Sequence, residues 1–377
     1  MTEYKADIAI VGAGIVGLAH ALAASKRGHS VVLFERNPQA QGASIRNFGM
    51  IWPIGQTPGQ VYQRALQTRE IWRDLAPRSA LWLAETGSLH LAYADDEYAV
   101  HQEFAALAPD LGYQVTLLDA DGVLARSRAV RPTNLKGGLW SPTELCVDPR
   151  EAIAALPTYL ERAYGVMLRF ATPVHYIDLP RIHTSRDTWN VERAIVCSGT
   201  DFQSLYPDIF AQSGLTRCKL QMLRTAPQPD DWRLGPMLAG GLTLRHYAAF
   251  KECQSLAAYA RRITAEHPEF DDWGIHVMAS QNGRGEITIG DSHEYGWCID
   301  PFDKPEIDRW VLDYLQTFLA APSLHIAQRW HGIYAKHPDR ADFIADPAPD
   351  VKIVNGVSGA GMTTAFGLAE EVFAAWE

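Results

Sequence analysis

Hydrophobic and polar positions along this chain follow two periods, and the period in force changes from segment to segment. Ile8, Ala9, Ile10 and Val11 form an unbroken apolar run, the pattern of a strand buried on both faces of a parallel sheet. A helix is expected from about Ile15 to Arg27, closed by Gly28, and "HSVVLFER" reads as a second strand ending at Glu35. The order returns near the C-terminus. Val351 to Val354 is another apolar run, Gly356, Gly359 and Gly361 make a flexible turn, and a helix runs on from about Met362 with Ala365, Leu368, Ala369 and Val372 at helical spacing. Between these ends, "LRHYAAF" and "EITIG" alternate, as strands of an antiparallel sheet with one face towards a ligand do. On that reading Arg245 and Tyr247 share a face and His246 points the other way. Buried-strand and glycine-turn signals cluster at 1–55, 145–205 and 325–377, and alternating, aromatic-rich segments at about 80–144 and 206–324. The expected architecture is therefore a discontinuous α/β unit of residues 1–80, 145–205 and 325–377, and an α+β unit of residues 81–144 and 206–324 built on an antiparallel sheet.

The first strand, turn and helix carry chemistry. Gly12 permits the tight turn, Gly14 lets backbone approach a pyrophosphate, and Gly17 lets the helix pack on the strand. The amide groups of Ile15 and Val16 open the helix and point at the phosphates. Glu35 lies 18 positions past Gly17, near the spacing at which an acid accepts from the ribose hydroxyls; Arg36 stands beside it. This is a Rossmann-like dinucleotide unit. No second GxGxxG follows a strand, so a separate nicotinamide domain is not evident. The second glycine turn, with Gly359, Ala360, Gly361, Met362 and Thr363, suits a long ligand held at two points. FAD is such a ligand, with its ring near a helix whose positive end stabilises negative charge.

Composition narrows the partners. The chain has 377 residues and a formal net charge of −10, which predicts two domains and disfavours nucleic acid and anionic membrane. Cys146, Cys197, Cys218, Cys253 and Cys298 are scattered and never form CxxC, so neither a disulfide framework nor a zinc site is expected. The longest apolar run, within residues 8–24, is broken by three glycines and short for a membrane span. A soluble, cytoplasmic protein is the expectation, with association of like chains left open. His325, His331 and His337 recur every six residues, which fits no usual metal pattern; no metal is expected.

Further motifs occur in a fixed order: "QGASIRNFGMIWP", "CVDPREAIAAL", "TPVHYID", "VERAIVCSGTDFQSL", "GEITIGDSHEY", "WHGIYAKHPD" and "NGVSGAG". Together they resemble the D-amino-acid oxidase superfamily of flavoproteins, in its glycine oxidase and sarcosine oxidase branch, over nearly the whole length. The resemblance implies that Ser44, Asn47, Phe48 and Gly49 belong to a loop against the flavin. It places the backbone of Val174 at adenine, Ser198 and Gly199 at the turn after the next strand, and Gly332 beside the ring. The sarcosine oxidase pattern has a cysteine at Gly332 that attaches FAD, so non-covalent FAD is implied here. The family's carboxylate-clamping arginine of a Gly-Leu-Arg-Pro segment is missing from Gly332-Ile333-Tyr334-Ala335, and the sarcosine oxidase lysine of the last glycine segment is replaced by Thr363.

The resemblance implies a flavin amine oxidase, in which positioning counts for more than acid–base groups. Tyr334, Lys336, Arg46 and Arg245 are the residues expected at the substrate. Several separated cations in place of one clamp suit a larger, more charged anion than a carboxylate, and the pattern resembles a bacterial subgroup linked with aminophosphonate breakdown. A small anionic amine such as 2-aminoethylphosphonate or an N-alkyl or hydroxylated relative is the expected substrate, with oxygen or a quinone as acceptor. The alternatives are a glycine, sarcosine or D-amino-acid oxidase, and a quinone-linked amine dehydrogenase of the same fold. A flavin monooxygenase is disfavoured because Gly290-Asp291 lacks the Pro- and glycine-rich helix start that follows it in hydroxylases. A flavoprotein that only binds or senses would explain the missing arginine and nothing else.

Overall fold

The computed structural model describes residues 4–376; the outermost residues of the two terminal segments expected in the α/β unit lie outside these. Parallel strands at Val31–Phe34, Tyr4–Val11, Thr188–Val196 and Val351–Asn355 form the centre of an eight-stranded sheet, with Met167–Arg169 at one edge. Segments more than 150 residues apart thus become neighbours, and their apolar runs are buried on both faces. A meander, Val174–Asp178 and Arg181–Thr184, extends the other side of Thr188–Val196. The helices Ile15–Lys26 and Gly361–Trp376 pack together in one apolar core. A Cβ on Gly361 would lie 3.2 Å from the Ile15 side chain, so the two glycine-led helix starts meet.

The second layer is a nine-stranded sheet, largely antiparallel, running Glu294–Gly296, Thr216–Thr225, Ile287–Gly290, Met278–Gln281, Met237–Ala239, Ser88–Ala92, Gly137–Ser141, Thr116–Asp119. Ile326–Lys336 joins it through a long antiparallel ladder on Thr216–Thr225. Sheet membership within 325–377 therefore changes after Lys336, since Phe343–Ala348 and Val351–Asn355 pair in the eight-stranded sheet. This ladder carries Gly332 and Tyr334 to the seam between the layers.

One expected strand is not a strand. Thr243–His246 is a short α-helix followed by a 3-10 turn at Ala248–Glu252. The alternation in "LRHYAAF" arises because Leu244 and Phe250 turn inward from successive helical turns into the large core.

Candidate functional site

A cavity of about 720 Å³ runs along the seam. One end is lined by Gly12, Gly14, Ile15, Val16, Glu35 and Arg36. Val174, Ser198 and Gly199 line the wall beside it. The other end is lined by Arg46, Asn47, Phe48, Gly332, Tyr334, Gly359, Gly361 and Met362. Both glycine turns therefore border one space.

The glycines have specific work in this cradle. Gly12 has φ +106°, and a Cβ there would stand 2.3 Å from the Cys197 carbonyl oxygen. A Cβ on Gly17 would stand 1.8 Å from the Gly12 carbonyl oxygen, so Gly17 serves packing and does not line the cavity. Gly14 opens the helix, where Ser44 Oγ accepts from the Ile15 amide at 2.9 Å. Asn47 donates to the carbonyls of Ala43 and Ser44 and accepts from the Gly49 amide; Ser44 and Asn47 thus fix the loop. Glu35 is almost buried, its two oxygens taking the amides of Ala13 (3.1 Å) and Asn37 (3.0 Å). Arg36 pairs with Asp201 at 2.7 Å on the rim.

Four other residues expected at the cofactor lie behind the cavity wall. Gly49 packs on the Val147 carbonyl, Ala360 sits in the turn without lining it, and Thr363 Oγ1 accepts from the Trp52 amide at 2.9 Å. With Gly17 they support the cradle; they do not form its surface.

The substrate-side residues divide. Tyr334 is buried, and its ring edge is 3.7 Å from where a Cβ on Gly359 would lie. Lys336 follows two residues later in the same strand, hence on the same side; it donates to Tyr295 Oη at 3.0 Å and lies beyond the cavity lining, next to Tyr334 rather than in the wall. Arg46 lines the cavity and donates to the His331 carbonyl at 3.3 Å. Arg245 is a correction. It sits on the Thr243–His246 helix, pairs with Asp271 at 2.6 Å and does not line the cavity, because helical geometry turns it away from the face a strand would have given it. Burial lowers the Lys336 ammonium and raises the Tyr334 phenol well above the ordinary values.

The element absent from the expectations is a histidine chamber beside Tyr334. His246, His276 and His293 come within ring-contact distance, and His293 lies 6.4 Å from the Tyr334 ring, centroid to centroid. Burial holds His246 and His276 well below the usual imidazole range and His293 at about 4. Burial also raises the carboxyl of Asp291, whose Oδ1 is 3.0 Å from His276 Nε2. No local spacing joins these residues. They come from a short helix and from residues flanking three strands of the nine-stranded sheet, and Gly290-Asp291 invited only a comparison with hydroxylases.

A cavity bordered by two glycine-opened helix starts and by a nearly buried acid at the end of the second strand defines a flavoprotein of dinucleotide-cradle type, and the residues fit FAD: Gly12 and Gly14 line it where a Cβ would collide with the Cys197 carbonyl or crowd Ser44 Oγ. Residues 7–375 match the family described as FAD dependent oxidoreductase, and the chain belongs to that family. FAD is its non-covalent cofactor, consistent with Gly332 offering no thiol. A glycine oxidase of Geobacillus kaustophilus is 26% identical over 208 residues, 52% of this chain and 55% of that protein, so the matched stretch spans about half of that relative. Its crystal structure superposes with a TM-score of 0.77 at 19% identity over 98% of this chain and 94% of that one. A glycerol 3-phosphate dehydrogenase of Caloramator mitchellensis is 23% identical over 95% of this chain and 71% of that protein. An L-alpha-glycerophosphate oxidase of Mycoplasma pneumoniae with FAD bound shares the fold at TM-score 0.74, with 18% identity over 99% and 95% of the two chains. Among the described residues, no helix is long and apolar enough to cross a membrane.

Proposed function

We propose that this chain oxidises the C–N bond of a small amine bearing an anionic head group. The observation that carries the reading is the placement of Tyr334 and Lys336 on one side of a strand that enters the cavity beside the second glycine turn, with Arg46 on the neighbouring loop. Bound FAD supplies a two-electron acceptor that oxygen or a quinone can reoxidise. The protein's part is placement. Lys336 and Arg46 hold the anion, and an arriving anion offsets the desolvation that lowers the Lys336 ammonium. Tyr334 limits where the amine carbon lies, and its phenol stays protonated as a donor. Loss of a hydride from carbon and a proton from nitrogen gives an imine, which water hydrolyses to a carbonyl compound and an amine.

The names of the relatives favour an amino acid, glycine above all, and a carboxylate head. With Arg245 withdrawn, two cations remain, which serve a carboxylate or a dianion. An aminophosphonate of the 2-aminoethylphosphonate type is the head group that engages both charges. Two relatives named for a phosphate ester, at 23% and 18% identity, make such an alcohol a useful comparison substrate.

Anaerobic mixing tests the reading. Glycine, sarcosine, D-alanine, 2-aminoethylphosphonate, its N-methyl form and glycerol 3-phosphate are each added to the yellow protein. Bleaching by an amine supports C–N oxidation, and the fastest amine identifies the head group. Bleaching by glycerol 3-phosphate alone would replace the reading. Admitting air then distinguishes an oxidase, which regains colour with peroxide, from a dehydrogenase.

A further inference from the structure

The histidine chamber has features that amine positioning does not require. His276 and Asp291 are locked by a two-way backbone pair, the Asp291 amide to the His276 carbonyl at 2.7 Å and the His276 amide to the Asp291 carbonyl at 3.2 Å. The His293 amide donates to the Trp273 carbonyl at 2.6 Å. Their side chains therefore project from fixed backbone. One ring nitrogen from each of His246, His276 and His293 lies within 4.8 Å of the other two. Ring centroids are 3.9, 4.4 and 5.1 Å apart. Imidazoles radiating from one zinc-like ion, with bonds of about 2.0–2.1 Å, have centroids roughly 4.5–5.3 Å apart, so small side-chain rotations close the difference.

A second observation points the same way. His276 and Asp291 are 3% and 4% exposed, with Oδ1 of Asp291 3.0 Å from His276 Nε2, the contact a carboxylate makes with the outer nitrogen of a metal-bound histidine, while the buried Nδ1 of His276 has no partner. Leaving that nitrogen unsatisfied is costly, and a bound metal ion satisfies it. His293 Nδ1 is held at 3.0 Å from the Gly274 carbonyl. Donating there leaves Nε2 with its lone pair, the outer-shell arrangement that orients metal-bound histidines. Three imidazoles are ligands suited to zinc, which takes water in its fourth position.

We propose that His246, His276 and His293 form a binding site for one divalent transition metal ion of the zinc type, with Asp291 standing behind His276 and a fourth position open to water. The site stands independently of the amine substrate. The test uses tag-free, FAD-loaded protein dialysed against a chelator, then titrated with Zn²⁺ under equilibrium dialysis and with Co²⁺ under visible spectroscopy. One zinc per chain is expected, with affinity reduced at least tenfold in His246→Gln and His276→Asn. Co²⁺ is expected to give the intense d–d bands of a four-coordinate site. The flavin spectrum and circular dichroism report folding. If His276→Asn does not fold, His246→Gln, altered at a half-buried position, decides. No zinc uptake by the wild type, uptake unchanged in the folded variants, or only the weak bands of six-coordinate cobalt would overturn the proposal.

Discussion

The two ends of the cavity are built by opposite means. The nucleotide end is mostly local: strand, turn, helix, strand and acid follow one another between Tyr4 and Glu35, with distant residues such as Ser44, Cys197 and Asp201 closing round them. The substrate end is assembled from afar, with Arg46 on a loop and Tyr334 on a strand of the nine-stranded sheet, and the histidine chamber stands behind Tyr334, outside the cavity lining. At the first end backbone geometry sets chemistry, so glycine matters more than side-chain identity. At the second, buried side chains set it, and their ionisation depends on desolvation. Substitutions at the two ends should therefore fail in different ways.

The largest effect is expected at the nucleotide end. Gly17→Ala puts a Cβ 1.8 Å from the Gly12 carbonyl oxygen, which only a backbone shift relieves. Destabilisation of about 3 kcal/mol follows, and the turn that holds the pyrophosphate moves. The protein should purify largely colourless and melt earlier, measured by flavin absorbance and thermal unfolding. A yellow Gly17→Ala protein of wild-type stability would remove the distinction between the ends.

Acid comes next, and it acts on buried histidines outside the proposed metal site. Burial lowers His20 to about 4, and His90 and His101 to about 3. Each is buried without charge in the fold but takes a proton at about 6.5 when unfolded. The unfolded chain therefore binds more protons below pH 6.5, and stability falls as pH falls from there to about 3–4. For His20 alone, about 3 kcal/mol is lost by pH 4 at about 1.4 kcal/mol per pH unit. Urea unfolding at pH 7 and pH 5 should show the loss, and His20→Leu should flatten it.

These two outcomes bear on what sequence reading captures. The apolar runs, Gly12, Gly14, Gly17 and Glu35 were legible because the cradle's geometry requires those residue types at near neighbours. The second turn was legible for the same reason, and its meeting with the first follows from sheet order. Lys336 and Tyr334 were reached only through resemblance to known flavoproteins. The chamber was not reached at all, since His246, His276 and His293 share no period, and Arg245 was misplaced because a four-residue helix between buried apolar positions imitates strand alternation. Gly49, Ala360 and Thr363 show a finer limit: motif membership found the wall but not which side of it each residue faces.

At the substrate end, Lys336→Met should leave the flavin spectrum intact, because Lys336 does not line the cofactor cavity. Removing a partly desolvated cation from an anion's partner costs about 1.5–3 kcal/mol, which reads as a ten- to hundredfold rise in the substrate concentration needed for half-maximal bleaching. Loss of FAD in this variant would instead move Lys336 to the nucleotide side of the comparison.

The smallest expected effect separates real from apparent members of the substrate end. Arg245 and Arg46 were both cations in reach by sequence, yet only Arg46 borders the cavity. Arg245 spends its charge on Asp271 at 2.6 Å, a pair whose acid is over a third exposed, and pairs of that kind contribute about 0–1 kcal/mol. Arg245→Gln should therefore lower stability by no more than about 1 kcal/mol and leave anaerobic bleaching by every amine within twofold of the wild type. Arg46→Gln should weaken that bleaching at least several-fold at equal flavin content. A substrate-dependent defect in Arg245→Gln as large as that in Arg46→Gln would mean that the short helix turns in solution to present Arg245 to the anion, and the substrate end would then be less fixed than its hydrogen bonds indicate.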